Sequence, residues 1–386
     1  VEHILNVLVL ASSYYPRIDG VSVTVHNLST GSSLNGNKVR VVTKWYANLT
    51  RVESESGVQI SRVGYGKRMG GSLLFTLSLI KKTVSILRSE DVQIVHAHGT
   101  IPGLAAIIGR LVTGVPFLVT FHRTNDLSDI SSNEMRNCCM RIAHKLVCRQ
   151  ADALTAQSEI FAKTLMQNLP IGETKIVLLP NPVNMPGMAH EKTRQTGGGQ
   201  VILFVGNLIR RKGVETLIRA MPVVVRRIPG ASLVVVGDGP QRVELEKLAA
   251  EEGVSGRIAF RGRLDESELT KAYADCDMFV LPSHSEFFGV VITEAMSHGK
   301  PVIASATNGA KSIIKNGECG ILVGIGDSKE LAREIVHLMT KPEEARMMGM
   351  RARMEIESRY SLEHVSNRLQ EIYDSVLQGE LVTAYE

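Results

Sequence analysis

The stretch "PNPVNMPGMAHEKTRQTGGGQVILFVG", residues 180–206, ends one regular pattern and begins another. Three prolines and a glycine triplet interrupt a polar run, which reads as a linker between compact regions. Upstream, short β-branched runs alternate with helical patterns: "ILNVLVL", a helical stretch through residues 21–34, "KVRVVT", "VQISRV", "VQIVHAH", "VPFLVTF" and "ADALTA". Downstream the alternation restarts with "VILFVG", "SLVVVG", "RIAFRG", "MFVLPS", "PVIAS" and "GILVG". Strands that are continuously apolar belong to parallel sheets covered on both faces. The expected fold is therefore α/β, with two doubly wound Rossmann-like domains. The boundaries follow as residues 1–182 for the first domain, 183–199 for the linker, 200–357 for the second domain and 358–386 for a C-terminal helix returning to the first. That last region is helical with an interruption at Tyr360 and Ser361.

The chain has 386 residues, enough for two cores, and its 34 glycines suit many strand-to-helix turns. Two apolar runs fail as membrane spans: residues 72–87 contain Lys81 and Lys82, and residues 101–119 contain Arg110, Gly114 and Pro116. Five cysteines without metal-ligand spacing fit reduced thiols, and the opening residues lack a signal-peptide pattern, so a cytoplasmic location is expected. Charge is divided unevenly. Residues 1–190 carry 19 Lys and Arg against 12 Asp and Glu, a net +7, and the remainder carries 25 against 27, a net −2. No interleaving of aromatic and basic residues of the kind single strands require is present, so nucleic acid is not an expected partner.

The dinucleotide fingerprint is missing. "ASSYYPRIDG" after the first strand lacks G-x-G-x-x-G, and "VVVGDGPQR" has Gly237 and Gly239 without a third glycine, which disfavours a dehydrogenase. Asp275 and Asp277 form a D-x-D, but at the start of a strand, whereas ligands in open α/β sheets bind beyond the carboxyl ends. No metal is expected.

Two stretches lie at carboxyl ends. "GNLIRRKG", residues 206–213, offers backbone N–H groups and three cations to an anion, although three loop cations are also ordinary solvated surface. "SHSEFFGVVITEAMSHGKPVIAS", residues 283–305, carries Glu286 in a loop and Glu294 in the following helix. Phe288, Gly289 and Val290 would present unpaired N–H groups at that helix start, where the macrodipole favours an anion. In isolation each carboxylate reads as solvated; beside an anion site, both are better explained as acceptors for hydroxyl groups. A molecule joining a diphosphate to two sets of hydroxyls is a nucleotide sugar.

These residues resemble the retaining glycosyltransferases with two facing Rossmann domains (the GT-B architecture), a group that includes mannosyltransferases, sucrose synthases and bacterial glycogen synthases. The resemblance spans essentially the whole chain. Glu286 to Met296 looks like the family's E-x7-E segment, "GNLIRRKG" like its G-R-L-x-x-x-K-G loop, "ADALTAQS" like its strand ending at Ser158, and "LLPNPVN" like its linking N-G-V-D. By position, the resemblance implies that Lys212 binds the donor diphosphate with Gly206, Asn207, Arg211 and the Phe288-Gly289-Val290 turn. It places Glu294 on the ribose hydroxyls, Glu286 on the donor sugar, His122 toward the reacting carbon and Gly20 at the phosphate or acceptor. The family's loop arginine is Asn207 here, its first N-terminal glycine is Asp19, and its G-G-x-x-E appears as "TNGAKS" with Ser312 in the glutamate position.

The function so implied is transfer of a sugar, with retention and without metal or cofactor, from a nucleotide-diphosphate sugar to a glycan or lipid-linked acceptor. Two other classes share the frame: a nonhydrolysing sugar-nucleotide epimerase and a non-catalytic sugar-nucleotide binding protein. His96 and His98 read as structural. The basic amphipathic stretch from Lys67 to Arg88 is a solvated face by default, although similar family members use this region to lie peripherally on anionic membranes.

Overall fold

The computed structural model describes residues 4–17, 19–46, 49–64, 71–122, 134–168, 175–187 and 200–380. Lys67, Arg68 and Gly70 of the basic stretch, residues 123–126 of "VTFHRTND" and residues 188–199 of the linker lie outside them. The chain divides into two compact units, one of residues 1–182 and 362–386, the other of residues 183–361.

The first unit is built on β1 (Asn6–Ala11), α1 (Gly20–Leu34), β2 (Lys38–Lys44), β3 (Val52–Glu55), β4 (Val58–Val63), α2 (Gly71–Ser89), β5 (Ile94–His98), α3 (Thr100–Thr113), β6 (Phe117–Thr120), α4 (Glu134–Gln150), β7 (Ala153–Ala156), α5 (Glu159–Asn168) and β8 (Ile176–Leu178). Its sheet has the order β3-β4-β2-β1-β5-β6-β7-β8, parallel throughout except for β3 against β4. Every residue of β5, β6 and β7 is buried, as expected of strands covered on both faces. Strand order reverses between β1 and β5, so the crevice at their carboxyl ends is bordered by the loops that lead to Gly20 and Gly99.

The second unit comprises β9 (Val201–Val205), α6 (Val214–Arg227), β10 (Ser232–Val236), α7 (Arg242–Glu251), β11 (Ile258–Gly262), α8 (Glu266–Asp275), β12 (Met278–Leu281), α9 (Val290–Ser297), β13 (Val302–Ser305), α10 (Asn308–Ile313), β14 (Ile321–Val323), α11 (Ser328–Thr340) and α12 (Pro342–Arg359). Its all-parallel sheet has the order β11-β10-β9-β12-β13-β14. The reversal here lies between β9 and β12, whose following loops carry Lys212 and Glu286.

The expected boundary at residue 357 falls inside α12, which runs to Arg359. Tyr360 ends that helix and accepts a bond from Val183 N–H at 2.8 Å, and the chain leaves the second unit at Ser361. The last helix, α13 (Leu362–Gln378), belongs to the first unit. Its Val365, Leu369, Ile372 and Tyr373 join Val25 and Leu28 of α1 in one apolar cluster. Among the described residues, no helix is long and apolar enough to cross a membrane.

Candidate functional site

In the second unit, the loop after β9 tightens into one 3₁₀ turn, Arg210–Lys212, and is pressed against the loop after β12. Gly213 makes this possible: its φ is +61°, and a Cβ there would sit 2.1 Å from the Pro282 carbonyl oxygen. His284 N–H donates to the Arg211 carbonyl at 2.9 Å, closing the two loops together. From this joint Lys212 Nζ reaches Glu286 Oε1 at 2.5 Å, and Ser283 Oγ donates to the same oxygen at 2.8 Å. Arg211 donates to the Ser285 carbonyl at 2.9 Å and lies 3.6 Å from Glu286 Oε2. Glu286 and Lys212 keep only 7% and 12% of their side-chain surface exposed, so the pair is largely desolvated. The carboxylate is met by two cations and a hydroxyl, the satisfaction a buried charge requires.

The loop that carries Glu286 is supported from α10. Gly309 N–H donates to the Glu286 carbonyl at 2.9 Å, and a Cβ on Gly309 would lie 2.7 Å from the Phe288 backbone. The "TNGAKS" segment thus acts through its glycine, while Ser312 Oγ turns back onto the Gly309 carbonyl at 2.7 Å. Gly289 adopts φ +95° as the residue before α9, and the first α9 turn closes with Ile292 N–H on the Gly289 carbonyl. Phe288 contributes only its backbone to the loop surface, because its ring is buried against the unit's core. Gly206 lies beside Lys212, with 3.7 Å between Lys212 Cε and a Cβ built on the glycine. Asn207 is exposed.

Glu294 has a different environment. It projects from α9 as a half-buried carboxylate and accepts a bond from the Tyr273 hydroxyl of α8 at 2.7 Å. Burial raises its pKa to about 7; the Tyr273 bond opposes the rise and Glu266 adds to it. The folded pKa is thus above the usual value, and Glu294 contributes stability that is complete below about pH 4.5 and lost as pH rises through about 7. Glu294→Gln is expected to raise the melting temperature at pH 8 by about 5 °C, equivalent to about 2 kcal/mol, with little gain at pH 5. Equal shifts at both pH values in a thermal melt would remove this account.

A cavity of about 810 Å³ is bounded by Arg210, Arg211, Glu215, Arg219, Gln241 and His284. Neither Glu286 nor Glu294 lines it, and Arg211, 3.6 Å from Glu286 Oε2, is the residue that the opening shares with the buried pair. Asp277 accepts a bond from Val201 N–H at 2.8 Å, where β9 begins, which gives the D-x-D aspartate a structural task. Among the described residues, no group of three His, Cys, Asp or Glu is placed to hold a metal ion.

In the first unit, Gly20 opens α1, and Asp19 caps it by accepting from Val21 N–H at 3.2 Å and Ser22 N–H at 2.9 Å. Ser13 and Arg17 also hold this carboxylate. Where the sequence comparison suggested a lost glycine, the chain has a helix cap that already engages the amides an anion would seek. His122 follows β6 and is bonded at both ring nitrogens, to His98 Nδ1 at 3.0 Å and Gln157 Nε2 at 3.0 Å. Tyr273, Ser283, Gln157 and His98 were not singled out for the site by sequence. Tyr273 and Gln157 do sit at interpretable places, one on the inner face of a helix and the other at the end of a buried strand.

The comparisons with known proteins divide as the fold does. Residues 188–355 match the family described as glycosyl transferases group 1, and residues 18–185 match glycosyltransferase family 4. Among curated relatives, the glycogen synthase of Mycobacterium tuberculosis is 26% identical over 399 residues, covering 97% of this chain and 96% of that one. Among solved structures, sucrose-phosphate synthase from Thermosynechococcus elongatus superposes with a TM-score of 0.83 at 23% identity, covering 97% of this chain and 100% of that one. The Anabaena HepE protein, solved in complex with UDP-glucose, gives 0.77 at 19% identity, covering 96% and 100%.

Proposed function

Because the chain belongs to the glycosyltransferases built from a family 4 half and a group 1 half, we propose that this glycosyltransferase takes its sugar from a nucleotide-diphosphate donor and transfers it with retention and without a metal ion. The observation that carries the reading is the Lys212–Glu286 pair at the β9/β12 switch point, beside the start of α9. Lys212 and Arg211 supply positive charge for a diphosphate, and the α9 amides add the positive end of a helix dipole. Glu294 accepts the ribose hydroxyls and Glu286 those of the sugar; His122 and Gly20 serve the sugar and acceptor side. Retention is read as front-face attack, in which the acceptor oxygen bonds to the anomeric carbon as the bond to phosphate breaks. The departing phosphate oxygen takes the acceptor's proton. The protein's contribution is then position and charge, not a covalent intermediate.

A thermal-shift panel of UDP, GDP and ADP sugars tests the donor, since a ligand at 100 times its Kd adds about 2.7 kcal/mol. One base is expected to stand out. Incubation with that donor alone should leave the sugar unchanged, and addition of an acceptor pool should release the diphosphate, with EDTA present throughout. A new nucleotide sugar formed without acceptor would support an epimerase, and donor binding without turnover a binding protein. Loss of activity in EDTA with recovery in magnesium or manganese would replace the metal-independent reading.

The acceptor is proposed to be lipid-borne or anionic, and the enzyme to work at a membrane surface. Leu73, Leu74 and Leu77 of α2 are exposed, as are Leu111 and Val112 of α3, the helix packed against it. Lys81 and Arg88 are exposed on the same helix as the leucines. Each cation near an anionic surface adds about 1 kcal/mol of attraction. The chain is expected to float with anionic liposomes and not neutral ones, and Leu74→Glu with Leu77→Glu should abolish flotation. Failure with both liposomes would favour a soluble acceptor.

A further inference from the structure

Three histidines that sequence leaves as separate points form one stack in the first unit, with His96 and His98 buried and His122 half-buried. His96 and His98 alternate along β5, and the register sets His98 opposite Thr120, two residues before His122. Ring centroids of His96 and His98 are 4.3 Å apart, and those of His98 and His122 are 5.2 Å apart with planes inclined by 17°. His96 is bonded at Nδ1 to the Tyr373 hydroxyl of α13 at 2.9 Å and at Nε2 to Thr120 Oγ1 at 2.7 Å. His98, Thr120, Thr155 and Gln157 are all buried.

The bonds around His122 indicate where its proton lies. Gln157 Nε2 lies 3.5 Å from the Phe121 carbonyl oxygen and 3.0 Å from His122 Nδ1, and a carbonyl at that place favours an amide that presents N–H, not oxygen, to the ring. A ring nitrogen that accepts this bond carries no proton. With the amide so placed, neutral His122 carries its proton on Nε2, which donates to His98 Nδ1, and His98 holds its own proton on Nε2. That buried N–H has no partner among the described residues. Charging of the buried histidines around His122 is opposed by their surroundings. Burial takes His96 down to about 3, holds His98 well below the usual range and takes His144, whose ring lies against Phe121, to about 4. The Tyr373 hydroxyl, pushed up by burial, stays neutral.

We propose that Gln157 and His98 are positioning residues for His122, occupying both of its ring nitrogens so that it stands beside the substrate as a fixed, neutral, Nε2-protonated imidazole and takes no part in proton transfer. The placement of His122 beside substrate rests on the transferase reading above; its tautomer does not. The assignment also fits transfer in which the leaving phosphate, and no side chain, receives the acceptor's proton.

The test uses the full chain with ¹⁵N-labelled histidine. Long-range ¹H–¹⁵N spectra are recorded from roughly pH 5.5 to 8.5, the range in which an unperturbed histidine titrates, with the His122 signal assigned by its loss in His122→Asn. His122 is expected to show a bare Nδ1 and a protonated Nε2 throughout. Gln157→Glu replaces the donor with an acceptor and should bring a proton onto Nδ1, adding a pH-dependent limb to kcat. Gln157→Leu, which adds no buried charge, should let the two tautomers average and lower kcat by about tenfold, with the donor KM within about twofold of wild type. A His122 that titrates near pH 6.5, a proton on Nδ1 in the wild type, or spectra of both variants matching wild type would overturn the proposal. Absence of transferase activity would remove the kinetic comparison, and the spectra would still decide the tautomer.

Discussion

Lys212→Ala is expected to lower kcat/KM by about 10³-fold, at the upper end of what removal of one preorganised electrostatic group costs. The size follows from where the ammonium sits. Its Nζ is held 2.5 Å from Glu286 by a loop braced at two points, where Gly213 packs on the Pro282 carbonyl and His284 N–H is bonded to the Arg211 carbonyl. A charge fixed before the substrate arrives needs no reorganisation as the diphosphate leaves. The substitution also leaves Glu286 with Ser283 and with an Arg211 that is 3.6 Å away, so a stability loss of about 2 kcal/mol should accompany the kinetic one. Lys212→Arg tests whether charge alone suffices: it keeps the cation but replaces a point charge passing close to Gly206 with a planar fork, and should recover less than a tenth of the lost activity. Steady-state kinetics on variants shown to be folded by circular dichroism decide this. A loss in Lys212→Ala of under about tenfold would mean that Arg211 and the α9 amides carry the diphosphate between them.

The sequence made the second unit more legible than the first, for physical reasons. Most of its strands are short apolar runs that end in a turn, and the residues that meet at the β9/β12 switch point lie directly after two of those runs. The missed elements of the first unit are the weakly patterned ones. β3, "VESE", is an exposed antiparallel edge with hardly an apolar residue, and β8 is three residues long. The order of the residues also concealed pairings made through tertiary structure. That Lys212 and Glu286 form an ion pair, that Tyr273 bonds Glu294 and that Gln157 meets His122 depend on which strands are neighbours in the sheet and which helix faces turn inward. Asp19 is an instructive case. As a departure from a family pattern it looked like a loss, yet a carboxylate before a helix is what an N-cap requires, and that local signal was available in the sequence.

The two glutamates should separate kinetically, because their surroundings differ. Glu294 is bonded by Tyr273, and its proposed ribose partners do not change during reaction, so its contribution is uniform binding. Glu294→Gln should chiefly raise the donor KM and leave kcat within a few-fold. Its pKa of about 7 adds a sign: ribose hydroxyls donate to the ionised form, so the wild-type donor KM should rise as pH falls through about 7, and that rise should vanish in Glu294→Gln. Glu286 is held against Lys212 and Ser283 beside the proposed sugar, which gains positive character as its bond to phosphate breaks. Its charge is worth most at that moment, so Glu286→Gln should lower kcat by about 10²–10³-fold with a smaller change in donor KM. The glutamine retains an oxygen for Ser283, which limits structural damage, but it removes the anion that holds Lys212 in place. Part of the loss will therefore come through Lys212, and the double variant Lys212→Ala with Glu286→Gln should be far less impaired than the product of the single effects. Full additivity would mean that the pair seen in the free protein has no part in the transition state. An intact kcat in Glu286→Gln together with an abolished one in Glu294→Gln would exchange the two roles.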